Sequence, residues 1–552
     1  MTEILFTVLQ DILFFVLLIG GGWFFGRAFY KIYKGEPVFA KKVFTATENG
    51  IYKIMGVDPK EEMTAKKYAL GILLFSVFSL IFFIAVVMLQ AFLTMNPEHI
   101  EGMSWHLAFN TAASFVTNTN WQAYSGETGL SYLSQMICLT VQNFVSGAVG
   151  IAVLFALIRG FVGRQKKTIG NCWADITRVT LFMIPVCFVG AFILVSQGVP
   201  QTMSGSVSYT ALNGEASTLY LGPAASQIII KQLFTNGGGF WGVNSAYPFE
   251  NPTPFSNLIE CLSLLWIPAG LCFTFGKAVK MRGENGTAVK EKDQGIALLK
   301  VMSILFIAAL IVCTVFEFVG AAMPEGVKYL GNMEGKEARF GVGTSALWAT
   351  ATTAASNGSV NAMHDSFTSI GGMIPMFLMM LGEIVYGVGC GLYGMIAFAI
   401  LTVFIGGLMV GRTPEYIGKK IGSYDMKMVC LIILTPVLCL LIGTASTVMI
   451  KEAPEWLTNS GAHGFSEILY AFASMAGNNG SAFAGLNANT PWTNVTGGIV
   501  MLLVRFVPMF AALGLAGSLG NKKMIPQSDG TLSTNNAMFV GLVIAVILIV
   551  GA

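Results

Sequence analysis

Four short polar segments rich in Asn and Gly interrupt a chain that is otherwise apolar enough for a membrane. We call them knots one to four; they are Thr117-Asn118-Thr119-Asn120, Thr235-Asn236-Gly237-Gly238, Ser356-Asn357-Gly358-Ser359 and Asn478-Asn479-Gly480-Ser481. Aligned on their Asn residues, the knots recur at intervals of 118, 121 and 122 residues. A near-constant interval indicates an internal repeat. Four repeats with a knot in equivalent positions predict a ring.

The composition is that of an all-α polytopic membrane protein. Of the 552 residues, 54% are hydrophobic and 11% are charged, whereas a soluble domain has about 25% charged residues. Crossing a bilayer takes about 20 apolar residues. Ten stretches qualify, the last of them short: 4–29, 68–93, 131–158, 178–197, 256–276, 296–323, 372–410, 427–450, 496–519 and 537–551. The net charge of +3 gives no indication of a nucleic-acid partner, so the expected surroundings are membrane lipid.

A shorter apolar stretch ends at each knot. These four stretches are Trp105–Val116, Ala224–Phe234, Ala346–Ala355 and Phe465–Ala476. At about 1.5 Å per residue, a helix of this length enters a bilayer without crossing it. The predicted unit is therefore helix, half-helix, loop, helix, repeated four times, with one extra helix at each end. The predicted boundaries are 1–67 for the first helix and a cytoplasmic loop, 68–175, 176–295, 296–426 and 427–523 for the repeats, and 524–552 for the last helix.

Basic residues predict the orientation. Of the 32 Lys and Arg residues, 26 fall in the loops on one predicted side, five fall on the half-helix side, and Arg505 lies within a span. Cytoplasmic loops carry an excess of Lys and Arg. We therefore expect the knots and both termini to lie outside.

The knots have the chemistry of a cation filter. Non-helical backbone at membrane depth must line a cavity or be buried in protein. Gly adopts positive φ freely and Asn tolerates it, so these residues can turn carbonyls toward an axis. The half-helices end at the knots and present their negative C-terminal ends. With no Asp or Glu in any knot, the pattern favours a weakly hydrated monovalent cation. A single Asn-Gly is typical of an ordinary turn; four at one interval predict a filter, made of Thr117, Asn118, Thr119, Asn120, Thr235, Asn236, Gly237, Gly238, Ser356, Asn357, Gly358, Asn478, Asn479 and Gly480.

Over its whole length the chain resembles the potassium-binding A subunits of bacterial Kdp-type ATP-driven potassium pumps. The strings that carry the resemblance are TNTNWQ at 117–122, TNGGGF at 235–240, NSAYPFENPTP at 244–254, ASNGS at 355–359, GRTPEYIGKKI at 411–421 and GNNGSAFAG at 477–485. The resemblance implies a fold like that of potassium channels and Trk/Ktr/HKT transporters. It also implies potassium as the transported ion, selected from outside, and sideways exit toward an ATPase partner. The expected location is the bacterial plasma (inner) membrane.

The resemblance implies three partners: a P-type ATPase subunit, a single-helix small subunit and a periplasmic-facing subunit, the C component of the Kdp complex. The sequence contains neither a GxxxxGK[ST] phosphate loop nor a DKTG-type phosphorylation string. We therefore expect no catalysis by this chain alone and no nucleotide on it. The four His residues, His99, His106, His364 and His463, fall outside the spans and show no clustered spacing. No transition metal is expected.

Several residues are interpreted individually. The resemblance gives Gln122 a role in selectivity, with an outer-mouth hydrogen bond as the alternative, and makes Arg505 a cation below the filter, with a structural ion pair as the alternative. Glu383, Gly387, Gly389 and Gly391 lie in an apolar stretch of about 39 residues, about twice the length of one span, and so many Gly residues predict a break and a gating loop. A tilted or kinked helix is the alternative. Lys231 in the second half-helix has no assigned role.

Two other functions remain open at this point. A self-sufficient Trk/Ktr-like potassium carrier or channel would conduct without an ATPase, but it leaves the string GRTPEYIGKKI unexplained. A symporter with a central organic-substrate site would have inverted repeats, whereas the four predicted repeats share one orientation.

Overall fold

The computed structural model describes residues 2–280, 293–320, 331–525 and 532–551, and their regular secondary structure is almost entirely α-helical. Arg282, Lys290 and Lys292 of a predicted inner loop, and Lys328 of the predicted outer side, lie outside the described residues. Two helices precede the first unit: α1 (Thr2–Tyr33) and α2 (Lys41–Met55).

Four units follow with the predicted order of spanning helix, half-helix, knot and spanning helix. The first contains α3 (Ala65–Leu89), the half-helix α4 (Trp105–Val116), the short helices α5 (Gly126–Gly129) and α6 (Tyr132–Ser134), and, after a π-helical turn at Gln135–Thr140, α7 (Val141–Val162). The second contains α8 (Cys172–Ser196), an exposed antiparallel hairpin of β1 (Val207–Thr210) and β2 (Ala216–Leu219), the half-helix α9 (Ala224–Leu233) and α10 (Pro254–Lys280).

The third and fourth units have the same order. The third contains α11 (Gln294–Val319), the half-helix α12 (Gly341–Ala354), α13 (Ser369–Met380) and α14 (Cys390–Met409). A small antiparallel hairpin of β3 (Glu415–Tyr416) and β4 (Lys419–Lys420) leads to the fourth unit: α15 (Ser423–Val448), the half-helix α16 (Gly461–Ala476) and α17 (Pro491–Asn521). The last helix is α18 (Ala537–Val550). Short 3-10 turns occur at Gln90–Phe92, Asn244–Ala246, His364–Ser366 and Ala453–Trp456.

Nine helices of the described chain are long and apolar enough to cross a membrane. The predicted tenth, α18, has 14 residues and extends only about 21 Å. The apolar stretch at 372–410 is not one helix: α13 ends at Met380 and α14 begins at Cys390. The expected break is therefore present.

The four half-helices are confirmed, with 12, 10, 14 and 16 residues. The bounds of α4 match the prediction, but α12 and α16 begin earlier than expected, at Gly341 and Gly461. Small and polar residues form the first turn of both helices, so apolar content alone missed it. At about 1.5 Å per residue all four remain too short to cross.

The helices that follow the knots form the inner layer of the protein. The span ending with α7 is 83% buried, whereas the span that begins with α3 is 28% buried. The extra helix α1 packs on α10 through small residues. A Cβ added at Gly26 would lie 2.7 Å from Gly270 O, and one added at Gly22 would lie 2.9 Å from Ala269 Cβ. Small residues let helix backbones approach closely within a membrane.

The predicted cytoplasmic loops contact one another at one end of the protein. Ile169 N donates to Met63 O at 2.9 Å, and Lys419 Nζ donates to Gly163 O and Lys522 O at 2.5 and 2.8 Å. These four basic loops therefore share one face, as the sequence predicted. That this face is cytoplasmic stays a prediction.

Candidate cation-selective pore

All four half-helices end in the same backbone conformation. The second residue after each helix has a left-handed φ: 67° at Asn118, 51° at Thr235, 51° at Ser356 and 45° at Asn478. The next residue donates its N–H to the carbonyl five residues earlier. These bonds are Thr119 to Ser114 (2.9 Å), Asn236 to Lys231 (2.7 Å), Asn357 to Thr352 (2.8 Å) and Asn479 to Ser474 (2.8 Å). We call these four donor residues the second positions of the knots.

This conformation corrects the alignment of the first knot. Its structural counterpart to Asn236, Asn357 and Asn479 is Thr119, not Asn118, so the first interval is 117 residues and not 118. Asn118 takes the position of Thr235. The alignment on Asn was wrong because the backbone bend, and not the Asn side chain, is what the four repeats share.

The third positions are Asn120, Gly237, Gly358 and Gly480. Asn120, Gly358 and Gly480 have positive φ values of 59°, 92° and 102°. Asn tolerates this region better than most residues, so the first knot does not need Gly. The expectation of positive φ was wrong for Gly237, which lies outside the left-handed region.

The knots form a closed ring in chain order. Hydrogen bonds join each knot to the next knot or to the residue just before it: Asn118 Nδ2 to Thr235 O (2.9 Å), Asn357 Nδ2 to Asn236 O (3.1 Å), Ser356 Oγ to Gly477 O, directly before the fourth knot (2.8 Å), and Asn478 Nδ2 to Thr119 Oγ1 (2.8 Å). The ring is almost fully buried, since no residue whose side chain takes part in these bonds is more than 3% exposed.

Carbonyl oxygens crowd the centre of the ring. A Cβ added at Gly358 would lie 2.1 Å from Asn479 O, and one added at Gly480 would lie 2.2 Å from Thr119 O. A Cβ at Gly237 would lie 2.5 Å from Asn357 O and 2.8 Å from Asn479 O, which belong to the adjacent and the opposite knot. The three Gly third positions therefore exclude a side chain, the Asn120 side chain turns away to bond Asn143 Oδ1, and second-position carbonyls line the space between the knots.

The Asn side chains brace the ring, and among the second-position carbonyls that of Asn236 also accepts a hydrogen bond from Asn357 Nδ2 at 3.1 Å. Asn479 Oδ1 accepts from Ser481 N and Ser481 Oγ at 3.0 and 2.5 Å, and its Nδ2 donates to Thr352 O at 2.8 Å. Asn357 Oδ1 likewise accepts from Ser359 N at 2.8 Å. These bonds fix the orientation of each loop without adding charge.

The two remaining predicted filter residues flank the ring. Thr117 follows α4 directly, and its Oγ1 lies 2.8 Å from Thr119 Oγ1. A Cβ at Gly238 would meet the ring of Phe115 at 2.7 Å. Both residues support the knots by packing and hydrogen bonding.

Gln122 joins the first knot to the residue that directly follows the second knot. Its Oε1 accepts from Gly239 N at 2.9 Å, and its Nε2 donates to Gly239 O at 3.3 Å. The Gln122 side chain thus pairs with the backbone of one residue just after the second knot, as the hydrogen-bonding alternative expected. Its effect on selectivity stays a prediction.

Lys231, which had no assigned role, is half of a buried ion pair. The ammonium contacts Glu250 Oε1, both side chains are inaccessible to solvent, and Lys231 Nζ also donates to Asn244 Oδ1 at 3.1 Å. Sequence reasoning missed Glu250 because it lies in the loop after the second knot, 19 residues away.

The neighbour of Lys231 connects this ion pair to the ring. Gln232 Nε2 donates to Glu260 Oε2 at 3.0 Å, and Gln232 Oε1 accepts from Asn357 Nδ2 at 3.3 Å. Ser245 Oγ lies between the two buried carboxylates, 3.3 Å from Glu250 Oε1 and 3.0 Å from Glu260 Oε2. The second half-helix is therefore held from behind by a polar network.

Arg505 and Glu383, predicted separately as a filter modulator and a gate residue, lie together. Arg505 is 2% exposed, and its Nη1 is 3.8 Å from Glu383 Oε2 and 2.9 Å from Cys390 Sγ. Its Nη2 donates to Ser146 O of α7 at 3.4 Å. A buried guanidinium thus connects α17, α7 and the break between α13 and α14.

The break is a tightly folded loop. Gly382, Glu383, Tyr386 and Gly389 have φ values of 74°, 63°, 66° and 67°. A Cβ at Gly387 or Gly391 would lie 2.5 or 2.2 Å from Glu383 O, and one at Gly389 would lie 2.3 Å from Gly150 O of α7. Tyr386, inside the loop, is fully buried. Gly387, Gly389 and Gly391 are needed because a side chain at any of them would collide with a backbone carbonyl.

A small cavity of about 30 Å³ lies beside this loop. Its lining joins the fourth knot, through Asn478, to Glu383, Arg505 and two residues of α15, Ile432 and Pro436. The cavity thus reaches from the ring toward an outer helix.

Fold and site together define a polytopic membrane protein of the potassium-channel type, in which four linked repeats surround one ring of backbone carbonyls. The chain has the fold of the potassium transporter TrkH from Vibrio parahaemolyticus: the TM-score is 0.53 over 92% of this chain and 97% of that one, at 14% sequence identity.

The family described as "KdpA: Potassium-transporting ATPase A subunit" matches residues 12–552, and the chain belongs to this family. It is 56% identical over 550 residues to the "Potassium-transporting ATPase potassium-binding subunit" of Listeria monocytogenes serotype 4a, covering 99% of this chain and 96% of that protein. It is 54% identical over 565 residues to the protein of the same description from Clostridium botulinum Eklund 17B, with the same coverage.

Proposed function

We propose that this chain is the potassium-binding subunit of an ATP-driven import complex in the bacterial plasma membrane. The observation that carries the proposal is the closed ring of four knots, in which carbonyls of adjacent and opposite knots converge. Rings of backbone carbonyls replace the hydration shell of a monovalent cation. The names of the related proteins support potassium as that cation.

The electrostatics of the ring support a cation of low charge. Four half-helices end at the ring, and the C-terminal end of a helix carries roughly half a negative elementary charge. The knots themselves contain no carboxylate. The field thus attracts a cation without the strong binding that a ring of Asp or Glu would give a divalent ion.

Each predicted filter residue receives a role in this proposal. The carbonyls of Thr119, Asn236, Asn357 and Asn479 coordinate potassium. Gly237, Gly358 and Gly480 place no side chain in its path, and Asn120 directs its side chain to Asn143. The remaining members, Thr117, Asn118, Thr235, Gly238, Ser356 and Asn478, hold the knots in register, and Gln122 tunes selectivity. The repeats at 68–175, 176–295, 296–426 and 427–523 are the units that contribute one knot each.

The route proposed for potassium begins outside and turns below the ring. The knots open to the outside and both termini lie there, as the distribution of Lys and Arg favours. Arg505 repels a cation that moves straight inward, and the loop containing Glu383, Gly387, Gly389 and Gly391 obstructs the same path. The cavity of about 30 Å³ between Asn478 and Pro436, with room for about one water molecule, lies on the side toward which the proposed exit turns.

Partners complete the transport cycle in this proposal. The descriptions of the relatives as ATPase subunits support a P-type ATPase subunit that hydrolyses ATP. The resemblance adds a single-helix small subunit and the periplasmic-facing C component of the complex. The chain itself contributes the binding site for potassium, its cargo, and no catalytic residue.

A comparison of the purified chain with the assembled complex tests the proposal against a self-sufficient carrier. Both are placed in liposomes, and rubidium-86 uptake, potassium binding and ATP hydrolysis are measured. We expect potassium binding by the chain alone, and ATP-dependent uptake only by the complex. Rapid uptake by the chain alone, without ATP, would support the carrier. Absence of potassium binding in both samples would contradict the proposal that the ring is a potassium filter.

A further inference from the structure

A His residue and two carboxylates meet beside the fourth half-helix, away from the ring. Asp365 lies in the 3-10 turn after the third knot, and His463 and Glu467 lie one turn apart on α16. Ligand atoms of the three residues lie within 4.8 Å of one another, with His463 Nε2 2.8 Å from Asp365 Oδ1. The interpretation of all four His residues as unclustered is therefore wrong for His463. The sequence did not reveal this because Asp365 is 98 residues away.

The cluster has an excess of buried negative charge. Glu467 is fully buried, and its Oε2 has no hydrogen-bond partner within the described part of the chain. Lys336, the buried cation of the neighbouring third unit, pairs with Glu317 instead. A buried carboxylate without a cation is costly. His463 is a single group facing two carboxylates. A bound cation would supply the positive charge needed to balance Asp365 and Glu467 together.

One amide group holds both carboxylates in place. Asn459 Nδ2 donates to Asp365 Oδ2 at 3.2 Å and to Glu467 Oε1 at 2.7 Å, and Asn459 N donates to the same Glu467 oxygen at 3.1 Å. Groups that bond the far oxygen of a ligating carboxylate orient it and strengthen metal binding. Asp365 Oδ1 stays on the His463 side.

The residue types and access suit a divalent transition metal. Zinc is bound by His nitrogen and carboxylate oxygen at about 2.0–2.2 Å, so two tetrahedral ligands lie about 3.4 Å apart. The present separations of 2.8 Å and up to 4.8 Å bracket that value. The side chain of His463 is 46% exposed, which leaves a path for the ion and a fourth position for water.

Hydrogen bonds connect this cluster to the filter. His364, next to Asp365 in the same turn, has its Nδ1 2.8 Å from Tyr470 OH. The Tyr470 hydroxyl lies 2.9 Å from Ser481 Oγ, which donates to Asn479 Oδ1 at 2.5 Å. The turn that carries Asp365 is thus connected in three steps to a second-position residue of the fourth knot.

We propose that Asp365, His463 and Glu467 form a site for a divalent transition-metal cation of the zinc class on the outer side of the protein. The bound ion ties the turn after the third knot to α16. Because the same turn supports Tyr470 and Ser481, occupation of the site strengthens potassium binding at the fourth knot. This second step rests on the proposed function of the ring, whereas the metal site itself does not.

Metal binding is tested on the assembled complex after treatment with a chelator. The complex is equilibrated with Zn²⁺ and then with Co²⁺, and bound metal is measured by elemental analysis and by visible absorption of Co²⁺. We expect wild type to bind one more ion than the double variant Asp365→Asn/His463→Gln. Single variants, including the isosteric Glu467→Gln, should bind about tenfold or more weakly. His99→Gln, on the same side but outside the cluster, is the control.

Equal metal content in wild type and the double variant would overturn the site, provided that both elute as intact complexes. The potassium-binding curve, measured with and without Zn²⁺, tests the second step: a severalfold shift is expected in wild type and none in the double variant. Zinc binding without this shift would contradict the coupling between the metal site and potassium binding, while the metal site itself would stand. Absence of potassium binding in every sample would instead contradict the proposed function of the ring.

Discussion

Asn478 Nδ2 donates a hydrogen bond of 2.8 Å to Thr119 Oγ1 and thereby joins the fourth knot to the first across 359 positions of the chain. The other three junctions connect knots that follow each other in sequence, so this bond is the one that closes the ring. Its acceptor is the residue that replaces Asn at the second position. The first knot differs from the others by having Thr119 in place of Asn, and this Thr accepts the bond that closes the ring.

Thr119→Val should weaken potassium binding about fivefold. Val has the shape of Thr but no hydroxyl, so Asn478 Nδ2 loses its 2.8 Å acceptor and keeps only Met501 O at 3.4 Å, whereas Thr117 Oγ1 keeps its bond to Ser114 O. A hydrogen bond contributes about 1 kcal/mol net, which corresponds to this factor. The measurement is a potassium-binding isotherm on the purified complex, with the exposed Thr128→Val as control. Unchanged affinity would show that the closing bond does not set the geometry of the ring.

Gly358→Ala and Gly480→Ala should each weaken potassium binding by about tenfold or more, equivalent to about 1.4 kcal/mol. The added Cβ would lie 2.1 Å from Asn479 O or 2.2 Å from Thr119 O, so a carbonyl must move. Gly237 does not have a left-handed φ, so Gly237→Ala adds no backbone strain of that kind. It should still have the same effect, because the new Cβ would collide with Asn357 O and Asn479 O. Rubidium and sodium competition on the same complexes should show weaker discrimination.

The third unit and the fourth provide matched controls for the Gly variants. Gly341 and Gly461 begin α12 and α16 with φ of 73° and 64°, and a Cβ at either has no described atom within 4 Å. Gly341→Ala and Gly461→Ala therefore carry the same backbone strain, about 1–2 kcal/mol, without a clash. Equal losses of affinity in test and control variants would contradict the ring.

Lys231→Met should destabilise the complex by about 3–5 kcal/mol, because it leaves Glu250 buried without its cation. The double variant Lys231→Met/Glu250→Gln removes both charges and should recover most of that loss. Thermal unfolding of the solubilised complex measures the effect. If the double variant unfolds at the same temperature as Lys231→Met, Lys231 stabilises the complex by something other than its ion pair with Glu250.

Deletion of Gly387–Gly389 should permit passive potassium movement without ATP. If the loop between α13 and α14 obstructs the path, shortening it opens the way inward while the ring remains. The measurement is potassium efflux from liposomes that contain the assembled variant, with and without ATP.

A deletion of equal length in the exposed β1–β2 hairpin, Leu212–Gly214, is the control. Leu212 is fully exposed and a Cβ at Gly214 has open space around it, so this turn tolerates shortening. A kinked span without a gating role would behave differently: its deletion should prevent assembly. An assembled variant that stays tight and fully ATP-coupled would contradict the gate.

Cysteine labelling tests the orientation on a background without native Cys residues. An impermeant reagent added outside should label Leu212→Cys and should not label Lys41→Cys, since these exposed positions lie on the predicted outer and inner faces. Permeabilised cells should show labelling of both. Labelling of position 41 in intact cells would reverse the topology.

The periodic features of the sequence predicted the fold well. Half-helices are visible because each apolar stretch is too short to cross and ends at a polar knot, as with the identical bounds of α4. The break at 381–389 is visible because 39 apolar residues exceed one span and contain several Gly residues. The first turn of α16 was missed because Gly461–Gly464 contains polar and small residues.

Pairings between distant residues could not be predicted in the same way. Side-chain identity aligned Asn118 with Asn236, but the bend after each half-helix makes Thr119 the structural counterpart of Asn236. The sequence offered no role for Lys231, whose partner in the folded protein is Glu250. It likewise predicted that His463 stands alone, although His463 Nε2 lies 2.8 Å from Asp365 Oδ1. For Lys231 and His463 the partner belongs to a loop outside the helix that carries them, and sequence spacing carries no information about which segments meet.

The class of protein, the four repeats and the neutral chemistry of the knots could all be predicted from the chain alone, because hydrophobic length and residue type act locally along it. The register of the first knot, the contact of Arg505 with Glu383 and the set of converging carbonyls became visible only in the folded protein. These relationships depend on how four half-helices pack around one axis. That packing brings together backbone and charged groups that lie about a hundred or more residues apart in the chain.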